Sequence, residues 1–189
     1  MKIQLRKKDI LFPVPSALVV SGAGVKANII TIAWVGIVGS NPPAIGISLH
    51  KSRYSLSLIR ETNEFTVNIP RQVDFKKVDY CGIVSGRKVN KFEKTGFTPI
   101  PGCKVHVPII KECPFNLECK VLSEMEISGW TLVIGEILEA NIDRDCCDEH
   151  NQVLTDKIDP LVYIPTIREY WSMGAKLGDS FKAGKDIRS

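Results

Sequence analysis

The sequence predicts a mainly β protein: an antiparallel barrel, closed or nearly closed, with a few short helices and an extended C-terminal tail. Three observations predict it. Several short apolar, β-branched runs, among them "SALVV", "NIITI" and "PAIGISL", are separated by Gly, Asn and Pro turns. Two long stretches near residues 114–142 are joined by Ser128-Gly129, a hairpin signal. Only two segments carry helical spacing, and both are short. About seven hairpin-linked strands against two helices favour an architecture that closes on itself and removes its edges.

In chain order, residues 16–21 (SALVVS) read as a strand, Gly22-Ala23-Gly24 as a turn, and 27–36 as the returning strand. Asn41-Pro42-Pro43 cannot continue a ladder, so residues 44–49 form a third strand. These runs are apolar at nearly every position, as strands covered on both faces are. The period then changes. Residues 52–62 read as a helix with Asn63 as its left-handed stop, and 65–69 as a strand. Residues 74–85 read as a second helix, with Asp74 as N-cap, Phe75, Val78 and Cys81 inward, and Gly86 as stop. Residues 87–113, broken by Gly and Pro, read as surface loop, and 114–127 and 130–142 as the long hairpin. The expected division is a barrel over 1–160 and a tail over 161–189, packed on the barrel or on a partner subunit.

With 44% hydrophobic and 24% charged residues, the chain has an ordinary globular composition with enough apolar material for a core. Its 25 Lys and Arg are interspersed among 21 acids, with no basic arm or block, which argues against a dedicated nucleic-acid binder. No window has the apolar length of a membrane span, and no signal-peptide pattern follows Met1, so a cytoplasmic location is expected. The six cysteines form no CxxC pair, and the three histidines sit at no metal-ligand spacing, so neither a metal nor a structural disulfide is expected.

The informative stretch is "LHKSRYS", where an apolar strand ends in His50, Lys51, Arg53 and Ser55. A helix opening there would point its first amides and its dipole at whatever precedes it, making an anion seat. Lys51 and Arg53 bring cations and Ser55 a hydroxyl. A solvated strand-to-helix corner carries the same residues, and local physics leaves both readings open.

The run "ANIITIAWVGIVGSNPPAIGISLHKSRYSLSLIRETNEFTVNIP" resembles the flavin reductase-like, FMN-binding split-barrel family. "DYCGIVSGRKVNKFEKTGF", "FNLECKV" and "GWTLVIGEI" follow in that family's order, and the tail "DPLVYIPTIREYWSMG" is similar to its flavoredoxin branch. The resemblance spans roughly residues 10–185. It implies a six-stranded, Greek-key split barrel, a homodimer, and one FMN per subunit.

Carried onto this chain, the resemblance implies that Asn28, Thr31, Ala33 and Trp34 line the flavin ring. Ser48, Leu49, His50, Lys51, Arg53, Tyr54 and Ser55 would hold the ribityl chain and phosphate. Ser85, Gly86, Lys88, Asn90 and Lys91 would close the phosphate end. Tyr163, Arg168 and Trp171 would lie over a flavin, the chain's own or the partner's. Backbone amides near Ser40-Asn41 are candidates for the flavin's polar edge. Taken alone, Trp34 reads as core, Lys88 and Lys91 as solvated, and Trp171 as an interface anchor.

Where many family reductases carry a His before the "GEV" strand, this chain has Trp130, which argues against direct NAD(P)H use. The expectation is an FMN-binding electron-transfer protein of the flavoredoxin type, served by a redox partner protein, with no catalytic acid or base. An NAD(P)H-dependent flavin or ferric reductase is the alternative, and a barrel that binds a polyanion without flavin is a remote third. Large rings at Trp130, Tyr163 and Trp171 are expected to fill the slot a nicotinamide would need.

Overall fold

In the computed structural model, residues 1–5 and 9–187 are described. The chain runs β1 (Val14–Pro15), β2 (Ala17–Ser21), β3 (Asn28–Ile32), β4 (Val35–Ser40), β5 (Pro43–His50), α1 (Tyr54–Thr62), β6 (Glu64–Ile69) and α2 (Phe75–Ile83). It continues through α3 (Lys91–Thr95), β7 (Pro99–Ile100), β8 (Ile109–Ile110), β9 (Phe115–Ile127), β10 (Trp130–Ile142), α4 (Thr155–Ile158), β11 (Leu161–Ile164) and β12 (Glu169–Ser172). Seven strands make one antiparallel sheet in the order β3-β2-β6-β9-β10-β5-β4.

That order closes the sheet. β3 and β4 are its two outermost strands, yet only Ala33 and Trp34 separate them in the chain. Laid flat, seven strands at about 4.8 Å spacing would hold the outer two roughly 29 Å apart. The three Cα steps from Ile32 to Val35 reach at most about 11 Å. The sheet must curl until its ends meet. Trp34 marks the seam, where its carbonyl accepts a hydrogen bond from the Ser48 N–H at 2.9 Å. The fold is a split barrel with one more strand than the six expected, because the run 27–36 divides into β3 and β4. Its first half pairs with β2 and its second with β5, so the chain has to turn between them.

Alternate residues of the strands fill the barrel: Val19, Ile30, Ile47, Phe65, Leu117 and Val133 belong to one buried cluster, which Leu56 and Ile59 of α1 join. Gly135 is needed there. A Cβ on it would stand 2.5 Å from the Phe65 ring, so the glycine makes room for the aromatic that plugs the interior. The opposite faces of β2 and β3 pack Leu18, Val20 and Ile29 against Val78 and Cys81 of α2 and Phe92 of α3. Both faces are covered, which explains the unbroken apolar runs. β4 differs: most of it is exposed.

α1 ends at Asn63 with φ 60°, the left-handed stop expected. The β9–β10 hairpin turns at Ser128 and Gly129, both at positive φ. α2 departs from expectation. It stops at Ile83, and Asp74 makes no capping bond but pairs with Lys77 at 2.9 Å. Phe75 is 42% exposed, not inward, although Val78 and Cys81 are buried. Gly86 does not terminate the helix.

Residues 87–113 are not a surface loop either. They contain α3, capped by the Asn90 side chain, and the β7–β8 pair, and they bury Phe92, Phe97, Val107 and Ile110. Polar anchors hold this segment. The Glu118 carboxylate, 0% exposed, accepts from the amides of Cys103, Lys104 and Val105 at 2.9, 2.6 and 3.2 Å and from Asn141 Nδ2 at 2.9 Å. Asn68 Oδ1 accepts from the Ile110 amide at 2.9 Å, and Thr66 donates to the Pro108 carbonyl at 2.8 Å. The start of the tail is tied to the body by β11, which pairs with β1 through Val14 and Tyr163. Among the described residues, no helix is long and apolar enough to cross a membrane.

Burial alone would raise the Glu118 pKa, but its amide and Asn141 donors overcome this and hold it below the usual carboxylate range. Its stabilising contribution is therefore present above the unfolded carboxylate pKa of about 4.3 and lost as pH falls through the lower folded value. Glu118→Gln should cost roughly 1–3 kcal/mol near neutral pH, because an amide group then faces donors. It should also shrink the loss of stability on acidification. Urea unfolding midpoints of both proteins at about pH 7 and about pH 3.5 check this.

Candidate functional site

The end of β5 and the start of α1 make the corner singled out in the sequence. Lys51 N–H donates to the Gly129 carbonyl and Arg53 N–H to the His50 carbonyl, both at 2.9 Å, so the turn is fixed from two sides. Arg53 occupies the N-cap position of α1, and no side chain caps the helix there. A cavity of about 210 Å³ opens beside it, bordered by Asn28, Arg53, Tyr54, Ser55, Cys81 and Lys91, with Ser85 and Gly86 from the segment after α2. Among the described residues, two cations and no carboxylate border it. Arg53 forms no ion pair among the described residues. An uncapped helix start and an exposed, unpaired guanidinium beside one hollow could seat an anion.

Asn28 Nδ2 donates to Ser55 Oγ at 2.8 Å, and both residues are buried. Lys91 Nζ lies 2.7 Å from the Ile29 carbonyl and 2.7 Å from that of Cys81, tying β3 to the last turn of α2. Arg87 reaches over the corner, donating to the Ser52 carbonyl at 3.2 Å with its guanidinium 5.0 Å above the Tyr54 ring. Gly86 presses on Asn28 so closely that a Cβ would collide with its amide group. The glycine was expected as a helix stop; its role is this contact.

A second cavity, about 290 Å³, lies at the seam and shares Arg53 and Ile30 with the first, so the two adjoin. Trp34 and Trp130 form its aromatic side, with ring centroids 4.2 Å apart and planes tilted by 53°. His50 meets Trp130 edge-on at 5.4 Å, since the two are opposite one another across β5 and β10. His50 Nδ1 lies 2.8 Å from Ser52 Oγ and 3.3 Å from the Ser52 amide. That arrangement makes Nδ1 the acceptor and leaves Nε2 to carry the proton of the neutral ring. Tyr163 and Arg168 border the cavity from the tail.

The expected site residues fall into clear groups. Asn28, Arg53, Tyr54, Ser55, Ser85, Gly86 and Lys91 meet at the cationic cavity. Thr31, Ala33, Trp34, Ser48, Leu49 and His50 meet at the aromatic one, although the Thr31 hydroxyl is engaged by the Val78 carbonyl. Lys88 and Asn90 border an adjoining hollow with Tyr54 and Gly86. Lys51 is exposed and stands outside the lining of all three. Trp171, 55% exposed, lines a separate groove with Phe75 and Tyr170 and is not brought to the site of its own chain. The Ser40-Asn41 amides are not at the site either. They sit at the opposite end of the β4–β5 hairpin, about 23 Å along the strand from His50. Sequence reasoning missed Asp9 and Ile10, which border the aromatic cavity from a stretch with no periodicity to mark it.

The model of the flavin reductase like domain matches residues 10–171. The chain belongs to that family. It is 43% identical to an Archaeoglobus fulgidus protein of undescribed function, over 69% of this chain and 73% of that one. The flavoredoxin of Desulfovibrio vulgaris (Miyazaki F) superposes with a TM-score of 0.93 at 36% identity, covering 98% of this chain and all of the other. The flavoredoxin of Methanosarcina acetivorans does so with a TM-score of 0.91 at 34% identity, over the full length of both. These place the chain in the flavoredoxin branch.

Gly86→Ala should lower stability by about 1–3 kcal/mol, the usual cost of overpacking, by displacing Asn28 and breaking its bond to Ser55. Most of that penalty should vanish when Asn28→Ala is present as well, since the clashing partner is gone. A double-mutant cycle measured by thermal or urea unfolding checks it.

Proposed function

We propose that this chain binds one FMN across the two adjoining cavities and works as an electron carrier of the flavoredoxin type. The observation that carries the reading is that a cationic hollow at an uncapped helix start, with no carboxylate among its described lining residues, adjoins an aromatic-walled cavity. The donor set fits a flavin monophosphate. Arg53, Lys91 and the first amides of α1 suit a terminal phosphate, and no GxGxxG stretch offers a seat for an adenylate half.

A bound flavin would supply the redox chemistry, exchanging electrons one or two at a time. The chain's residues would bind and orient it. Arg53 and Lys91 would balance the phosphate charge, with the Asn28–Ser55 pair holding the floor between them. Trp34 and Trp130 would exclude water from the ring, and His50 Nε2–H would be the donor at its edge. No carboxylate or other base is required for this work.

Trp130 and Tyr163 border the aromatic cavity, as the carrier reading expects. On this reading their rings would narrow the space in which a nicotinamide has to stack, about 3 to 3.5 Å from the reacting atom. This supports loading and discharge by a redox partner protein over direct NAD(P)H use. A homodimer is part of the same proposal: Val38, Met125 and Ile127 lie exposed on β4 and β9, and Trp171 and Phe181 on the tail. Apolar side chains in such number call for a cover. Sedimentation at micromolar concentration tests this part, and a monomer would refute it.

Purified protein reconstituted with excess FMN should show flavin absorbance. A colourless product would remove the reading and favour a flavin-free polyanion site. Arg53→Ala should weaken FMN binding by about 1–3 kcal/mol, roughly 5- to 150-fold, and reduce its salt dependence. Anaerobic stopped-flow mixing with NADH or NADPH should bleach the flavin slowly or not at all. Bleaching at several per second would establish the reductase instead.

A further inference from the structure

We propose that Lys91 is the residue through which this site selects a phosphorylated flavin over an unphosphorylated one, and that it acts as a proton-coupled cation: entry of the phosphate draws a proton onto its amine. The inference rests on the reading that the ligand is a flavin phosphate. Lys91 is 3% exposed, at the first position of α3, and borders the cationic cavity. Its two hydrogen bonds, to the Ile29 and Cys81 carbonyls, use two of its N–H groups. An ammonium has three N–H bonds and a neutral amine two. Both carbonyls are therefore satisfied in either state, and the tie between β3 and α2 survives loss of the proton. The third N–H is what the charged form adds, and the cavity is where it is used.

The surroundings disfavour that charge while the cavity holds no anion. Burial pushes the Lys91 amine down; the neighbouring Cys81 thiol opposes this, and Arg53 adds to the lowering, for a value of about 8. The charged and titratable groups around it are Arg53 and Tyr54 from the start of α1 and Cys81 from α2. On α3 itself, Glu93 is exposed, accepts from Asn90 Nδ2 at 2.8 Å, and is not part of the lining. The missing counter-charge is thus left to the ligand. Arg53 cannot release its proton, so the site joins one permanent cation to one conditional cation.

The sign follows. With an amine half protonated near pH 8 before binding and fully protonated after it, affinity for a phosphate dianion is highest below that pH and falls above it. Riboflavin, which lacks the phosphate, does not sense the change. Other groups do not imitate it. The second ionisation of a phosphomonoester, near pH 6, is complete well before this range. The Cys81 thiol, pushed up to about 11, stays protonated through it.

The test is titration calorimetry of the full chain with FMN, in buffers of different ionisation enthalpy, with riboflavin as the control ligand. About half a proton should be taken up per FMN at pH 8, and nearly one at pH 9. The ratio of riboflavin to FMN dissociation constants should fall about tenfold between pH 7 and pH 9; ionisation of the shared ring cancels in that ratio. Lys91→Met should flatten the pH dependence and lower the ratio at pH 7. The wild-type measurement stands by itself if that variant does not fold. FMN binding with no buffer dependence, or a ratio independent of pH, overturns the proposal. Failure of FMN to bind at any pH overturns the reading beneath it as well, so the two failures are distinguishable.

Discussion

Two residues, Ala33 and Trp34, join the outermost strands of a seven-stranded sheet, and the rest of the molecule depends on that short link. A covalent tether of that length leaves the sheet no open form. Closure brings β3 and β5 to the same seam, which puts Trp34 beside the end of β5 and, through the β5–β10 register, beside Trp130. The same closure sets the start of α1 next to Asn28 on β3. The aromatic and cationic parts of the site are neighbours because the sheet has to meet itself there.

Two buried charges, Glu118 and Lys91, are treated differently, and the contrast separates scaffold from site. Glu118 receives four donors from its own chain and needs nothing further, so it fastens residues 103–105 to the barrel. Lys91 is held only by two carbonyls, and the hollow it borders with the exposed Arg53 has no carboxylate among its described lining residues. A protein that completes one buried ion so fully has the means to complete another. Leaving the buried Lys91 without a counter-ion fits the proposed site for a ligand from outside.

The strands, the Ser128-Gly129 turn and the Asn63 stop were legible because each is written in local spacing or in one residue's backbone preference. So was the corner of Arg53 and Ser55, where charge gathers at a strand end. The break at Ala33-Trp34 was not, since both halves of 27–36 are apolar and only their pairing partners differ. Residues 87–113 looked like loop because they are held by Glu118, Asn68 and Thr66, and such anchors leave no period in the segment they hold. Gly86 reads locally as a helix stop because its contact with Asn28 joins positions far apart in the chain. The Ser40-Asn41 amides were placed by likeness to a family, and distance along a strand is information that likeness does not carry.

The pairings that build the barrel are between distant parts of the chain: Val19 with Val67, His50 with Trp130, Val14 with Tyr163. Contacts of such separation form late and slowly, because long loops must close before they are rewarded. The walls of the site draw on all three thirds of the sequence, from Asn28 through Lys91 to Arg168. No early or partial form of the chain possesses a place for a cofactor. A ligand held there can lengthen the lifetime of the finished protein, by favouring the native state over the unfolded one, and it has no hold on the rate at which that state is reached.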